Sequence, residues 1–247
     1  MADITGTENG EFLGGTPGDD NIDGLGGDDA IQAGAGNDVA HGGDGDDFIN
    51  GFTGDDSLYG DADDDYLRGG AGINYIDGGT GYDRAAYVTA PSGVTVDLRL
   101  QGAAQSTGWG TDTLVNIEHL SGTIYTDTFY GDDNDNWLWA LGPTDGVTAT
   151  NDNLYGNGGN DLLQAGTGNH ILDGGAGMDA IGFGQPGDVL FATPDPLNGY
   201  GGGIVIDLFF QGVAQDTRQG MMTLIGIENV SGSVLDDLVG LDNAAYI

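Results

Sequence analysis

Residues 42–49 read Gly42-Gly43-Asp44-Gly45-Asp46-Asp47-Phe48-Ile49, and residues 174–181 read Gly174-Gly175-Ala176-Gly177-Met178-Asp179-Ala180-Ile181. Outward from the first stretch, in steps of nine, an apolar anchor recurs at Ile22, Ile31, Ala40, Ile49, Leu58, Leu67, Ile76 and Ala85. Two residues ahead of the anchors stand Asp20, Asp29, Asp38, Asp47, Asp56, Asp65, Asn74 and Asp83. Four ahead stand Gly18, Gly27, Gly36, Gly45, Gly54, Asp63, Gly72 and Gly81. Chance placement at this composition would put about one Asp and about two Gly in eight such slots, against seven of each here. A disordered Gly/Asp linker has no reason to keep phase, so the register marks a repeat architecture.

The phase returns with anchors Leu154, Leu163, Leu172 and Ile181, whose acid slots hold Asp152, Asp161, His170 and Asp179. Gly159 and Gly177 fill the glycine slots of the second and fourth of these repeats. A weaker fragment precedes them, with Asp127 before Phe129 and Asn136 before Leu138. The pattern Gly-Gly-x-Gly-x-Asp-x-apolar-x resembles the RTX (repeats-in-toxin) family of hemolysin-type calcium-binding nonapeptide repeats. The resemblance implies an all-β chain wound into a parallel β-roll, a β-solenoid, with several calcium ions as its cofactor.

Physical chemistry reaches the same ion by another route. Each nonapeptide holds a Gly-rich turn, which can curl its carbonyls toward one point, and a short strand with one inward apolar residue. Two nonapeptides complete one coil, so repeats 18 residues apart stack on the same edge. One edge then carries Asp20, Asp38, Asp56 and Asn74; the other carries Asp29, Asp47, Asp65 and Asp83. Carboxylates held about 5 Å apart repel by roughly 1 kcal/mol in water and by several at intermediate dielectric. A cation between rungs reverses that sign, and an all-oxygen cage of flexible geometry selects calcium over magnesium.

The expected metal sites pair Asp20 with Asp38, Asp38 with Asp56, Asp29 with Asp47, Asp47 with Asp65, Asp65 with Asp83, and Asp161 with Asp179. Their turn glycines are Gly18, Gly27, Gly36, Gly45, Gly54, Gly72, Gly81, Gly159 and Gly177. Asn74 removes a charge and weakens the site it shares with Asp56. Asp63, in a glycine slot, strains its turn or donates an extra oxygen. His170 is a poor hard-ion ligand opposite Asp152, and Thr150 stands there where Gly is expected. The second acids Asp19, Asp28, Asp46, Asp55 and Asp64 read as solvated turn residues.

The chain of 247 residues carries 36 Asp, 4 Glu, 4 Arg and no Lys, a formal charge of −36. That charge excludes binding to nucleic-acid phosphates and docking on an anionic membrane. The absence of Cys excludes disulfides and thiolate metal sites. No stretch approaches the ~18 apolar residues of a membrane helix, so membrane insertion is not expected, and no signal peptide is recognisable. No catalytic motif occurs, and the chain reads as a module rather than an enzyme. His41 faces solvent, and His119 has Asn229 as its counterpart in the second half.

Residues 93–100 alternate apolar and polar as a strand, and 203–210 repeat them 110 positions on. Gln101–Gln105 against Gln211–Gln215, Glu118 against Glu228, and Ser121-Gly122 against Ser231-Gly232 extend the match. The expected division is a lead or cap over 1–13, a first calcium block over 14–86 and an extension over 87–126. A second block over 127–182, a second extension over 183–235 and the start of a third copy over 236–247, at Asp236-Asp237-Leu238, complete it. The abrupt end suggests a piece of a longer array, and the extensions should continue or cap the roll.

The extensions resemble those beside RTX repeats in secreted bacterial proteins, including accessory modules of alginate-modifying enzymes. The resemblance implies an extracellular calcium-folded module, exported by type I secretion, with a structural or adhesive role. The alternative is a calcium-dependent polysaccharide-binding accessory of a carbohydrate-active enzyme such as an alginate epimerase. Partners are then calcium ions and an extracellular polysaccharide or cell-surface component. Trp109, Trp137, Trp139, Tyr125 and Tyr130 either stack on sugars or, the favoured reading, fill the junction before the second block.

Overall fold

The computed structural model describes residues 1–142, 150–166, 168–183, 205–207, 214–216, 221–227, 229–231 and 238–240. Gln211, Glu228, Gly232, Asp236 and Asp237, which the sequence matched or singled out, lie outside these. Glycine-rich punctuation every nine residues limits each strand to a few residues, and among the described residues there is no α-helix. The chain divides into two compact units, Met1–Thr123 and Ile124–Ile247.

In the first unit, strands alternate between two parallel sheets. One sheet orders Asp3–Thr5, Asn21–Asp23, Val39–Asp44, Ser57–Ala62, Ile73–Thr80, Thr111–Val115 and Ala104–Ser106. The other holds Phe12–Gly14, Ala30–Ala35, Phe48–Thr53, Tyr66–Arg68, Arg84–Ala86 and His119–Ser121, each paired with the next in parallel. The register step is the expected 18: Ile22 lies opposite Ala40, Ala40 opposite Leu58, and Ile31 opposite Ile49. All eight anchors are buried, from Ile22 to Ala85, and form the thin core between the sheets.

The extension continues this roll and ends one of its two sheets. Thr111–Val115 adds in parallel to Ile73–Thr80, and Ala104–Ser106 then pairs antiparallel with it. The strand expected over 93–100 is shorter than its alternation suggests. It ends at Asp97, whose carboxylate accepts from the Arg99 amide at 3.0 Å and opens a 3-10 turn over Leu98–Leu100.

The second unit repeats the scheme. Thr128–Tyr130, Asn153–Tyr155, His170–Asp173 and Met221–Ile225 pair in parallel, with Ala214–Asp216 antiparallel on the last. Trp137–Ala140, Leu162–Ala165, Ala180–Phe183 and Asn229–Ser231 form its other sheet. Strands Val205–Asp207, Ala214–Asp216, Met221–Ile225 and Asn229–Ser231 each sit 110 positions after a strand of the first extension, as the internal match requires. The first register step here is 25 rather than 18, placing Phe129 opposite Leu154.

Candidate metal centres along the turn edges

The slot that repeats Asp two residues before each anchor lies at the corner where turn becomes strand. The side chains of Asp20, Asp29, Asp38, Asp47, Asp56, Asp65, Asp83, Asp161 and Asp179 are all buried there. Each ladder carboxylate uses one oxygen in the same way. Oδ1 of Asp38 accepts from the backbone N–H of Asp20 at 2.8 Å, Oδ1 of Asp56 from Asp38 at 2.9 Å, and Oδ1 of Asp47 from Asp29 at 2.7 Å. Asp65 accepts from Asp47 at 2.8 Å, Asp83 from Asp65 at 2.9 Å, and Asp179 from Asp161 at 2.9 Å. The repeat thus places an anionic acceptor under the amide of the preceding rung, a bond stronger than its neutral equivalent.

The other oxygen is left over. Oδ2 of Asp29, Asp38, Asp47, Asp56, Asp65, Asp83 and Asp161 is buried with no hydrogen-bond partner. Such an atom is costly in a native protein unless something else coordinates it. Burial is the largest cause that pushes these carboxyls up: Asp47, Asp56 and Asp83 to about 6, Asp161 to about 7 and Asp65 to about 8. The backbone donors oppose the rise, and neighbouring carboxylates add to it.

Space for the leftover oxygens comes from the first glycine of each repeat, which the sequence reading left out of the site. A Cβ on Gly42 would collide with Asp47 Oδ2 and the Gly60 carbonyl; one on Gly60 would meet Asp65 Oδ2 and the Gly78 carbonyl. The later glycine slot shapes the turn. Gly27, Gly36, Gly45, Gly54, Gly72, Gly81, Gly159 and Gly177 all have positive φ, whereas Gly18 does not. Asp63 takes the left-handed conformation at φ 75°, so it carries the turn strain its slot predicts. Among the described residues no three His, Asp or Glu side chains gather into a ligand group of their own. The ladder carboxylates offer oxygen donors alone, a donor set that suits calcium.

Three rungs depart from the rule. Thr16 donates to Asp20 from both its amide and its hydroxyl, the latter at 2.8 Å to Oδ2, and holds this carboxyl below its ordinary range. Asn74 does more than subtract a charge: its Nδ2 donates to Asp112 Oδ1 at 2.9 Å, while the Tyr87 hydroxyl donates to Asp112 Oδ2 at 3.0 Å. A buried polar plug therefore ends this edge. At the third, the Asp152 amide donates to His170 Nδ1 at 3.1 Å, and Thr150 Oγ1 donates to Asp152 Oδ2 at 2.8 Å.

The second acids are exposed turn residues, and each also accepts a backbone N–H. Asp19 accepts from the Asn37 amide at 2.9 Å, Asp28 from Asp46 at 3.2 Å, and Asp46 from Asp64 at 3.1 Å. Asp55 and Asp64 accept from Ile73 and Tyr82, each at 2.8 Å. These bonds run toward the following rung, opposite to those of the ladder Asp. The adjacency Asp-Asp in the sequence was the available signal.

His41 is half-exposed, stacked on Tyr59 at 4.4 Å and 2.9 Å from Asp61. Trp137 and Trp139 are half-buried positions of one strand, and their rings stack at 5.9 Å. No helix among the described residues is long and apolar enough to cross a membrane.

Comparison with known families agrees with this geometry. The family model for the RTX calcium-binding nonapeptide repeat matches residues 5–40, 14–49, 50–85, 117–142 and 147–181, more than half of the chain. Among curated proteins, none matches.

Proposed function

We propose a function that starts from one premise: the chain belongs to the RTX calcium-binding nonapeptide repeat family and binds calcium through its repeats. The ions lie between rungs, on the leftover carboxylate oxygens of Asp29, Asp38, Asp47, Asp56, Asp65, Asp83 and Asp161, with Asp179 beside Asp161. Turn carbonyls complete each cage. The observation that carries this reading is the row of buried Oδ2 atoms without hydrogen-bond partners. The chain is a calcium-triggered folding module of a secreted protein, structural rather than catalytic. Without calcium, the net charge of −36 and the thin core leave it expanded; filled sites add their binding free energy to folding. Calcium-poor cytosol then keeps the chain unfolded for export, and extracellular calcium folds it.

A calcium titration followed by far-UV circular dichroism, with magnesium as control, tests the reading. The expected result is a cooperative coil-to-β transition in calcium that magnesium does not reproduce. A chain already fully β in chelator would overturn the folding switch.

A further inference from the structure

In each unit, one strand of the extension attaches to a rung that lacks the ladder carboxylate. Thr111–Val115 pairs with Ile73–Thr80, where Asp112 lies opposite Asn74. Met221–Ile225 pairs with His170–Asp173, where Met222 lies opposite His170. Asn74 and His170 each fill the slot two residues before an anchor, Ile76 and Leu172, and both side chains are buried. On the other sheet of the first unit, His119–Ser121 attaches beside Asp83, which keeps its carboxylate and its leftover Oδ2. The two units thus depart from the repeat at the same place, with different residues.

The two side chains also make the same pair of bonds. Asn74 Oδ1 accepts from the Asp56 amide at 3.2 Å and His170 Nδ1 from the Asp152 amide at 3.1 Å, as a ladder Oδ1 does elsewhere. Asn74 Nδ2 donates to the Gly70 carbonyl at 3.4 Å as well as to Asp112, and His170 Nε2 donates to the Gly166 carbonyl at 3.1 Å. Each carbonyl belongs to the glycine four residues before the donor. Where a ladder Asp presents a second anionic oxygen, these residues present an N–H, which calls for no cation. The neighbouring carboxylates are filled too. Asp112 takes Asn74 Nδ2 and the Tyr87 hydroxyl on its two oxygens; Asp152 takes the Asp127 amide on Oδ1 at 2.9 Å and the Thr150 hydroxyl on Oδ2. A proton on His170 Nδ1 exchanges the amide for Asp152 Oδ2, 3.1 Å away, so the ring keeps two partners in either charge state.

We infer that these two rungs are metal-free joints, in which Asn74 and His170 fasten an extension strand to the roll with N–H donors in place of an ion. Calcium governs the rungs before each joint and not the joint itself. In the first unit it also governs the Asp83 edge of the extension, while the Asn74 edge holds through side chains alone. The inference rests on the calcium reading of the other rungs, because it states where that ion is dispensed with.

The test counts the calcium ions bound by the whole chain at saturation, by equilibrium dialysis and elemental analysis. His170→Asn, which installs the side chain that serves the first unit, should bind as many ions as the parent chain. His170→Asp, which restores a ladder carboxylate with an unused oxygen beside Asp152, should bind one more. His170→Leu removes donor and acceptor together. It should keep the parent's ion count, while amide hydrogen exchange over Met221–Ile225 quickens at least tenfold and exchange over Ser57–Ala62 stays as it was. An ion lost in His170→Asn would mean that the His170 rung already holds calcium, and would overturn the inference. So would a His170→Asp chain that gains no ion, or exchange that His170→Leu leaves unmoved. If the leucine variant does not fold, the ion counts of the other two decide the matter. A parent chain that binds no calcium would instead sink the reading beneath, before any variant is compared.

Discussion

Replacing Asp65 by Asn, with Asp65→Ala as a companion, separates the two jobs of a ladder carboxylate. Its Oδ1 accepts the Asp47 amide at 2.8 Å, and its Oδ2 is buried without a hydrogen-bond partner. Asn preserves the first job, as Asn74 does by accepting from Asp56 at 3.2 Å. Ala abolishes both and leaves a buried N–H, which costs about 1–3 kcal/mol. The second job changes sign with the metal. In chelator above pH ~8, an ionised Asp65 is desolvated and repelled by Asp83, Asp47 and Asp46, so Asn should stabilise the roll. In calcium, the sites shared with Asp47 and Asp83 each lose an anionic ligand. A pair of unit charges about 4 Å apart interacts by about 4 kcal/mol at an effective dielectric near 20, and a third of that is a tenfold effect. We expect the calcium midpoint to rise at least tenfold. The assay is far-UV circular dichroism: a calcium titration, and an osmolyte titration that induces structure in chelator. Asp65→Asn should need less osmolyte than the parent but more calcium, and Asp65→Ala more of both than Asp65→Asn. An Asn variant that needs more osmolyte, or an unmoved calcium midpoint, would refute the division of labour.

Other expectations follow from the same edges. In chelator, the raised carboxyls favour the folded state while protonated, so their contribution is full below about pH 4 and is lost as pH climbs through about 6 to 8. Acidification should therefore lower the osmolyte requirement without calcium, but raise the calcium requirement with it, because the ligands must be deprotonated. Gly54→Ala, at φ 136° with its Cβ driven into the Gly36 carbonyl, should cost about 1–3 kcal/mol in the calcium-bound form by urea denaturation. Gly18→Ala, with open space at that point, should change it by less than about 0.5 kcal/mol. Asn74→Asp restores the repeat consensus, yet it sets a carboxylate against Asp112; the calcium midpoint should rise, whereas a fall would mean that Asn74 is merely a lost ligand.

The repeats were legible because each slot has one physical duty that one residue type meets. Burial of Ile22 through Ala85, the 18-residue register and the two carboxylate edges all follow from phase alone. The first glycine of each repeat escaped because its duty, leaving room for an oxygen of Asp47 or Asp65, exists only once the rungs are stacked. Asn74 looked like a weakened site because Asp112 and Tyr87, 38 and 13 residues downstream, share no periodicity with it. Residues 93–100 read as one strand because alternation cannot see the local bond by which Asp97 turns the chain.

The paired acids of each turn give a rung the logic of a floor tile with one tab and one notch. The ladder Asp reaches back to the amide behind it, and its exposed neighbour receives the amide ahead, so Asp46-Asp47 engages Asp28-Asp29 and Asp64-Asp65 by the same two bonds. Neither bond depends on which apolar residue fills the core. Any nonapeptide that carries the doublet can be duplicated, deleted or exchanged, and the seam on either side closes as before. Recombination between repeats can then lengthen or shorten the array without inventing a new interface, while a rung such as that of Asn74, whose amide is committed to Asp112, cannot be moved alone.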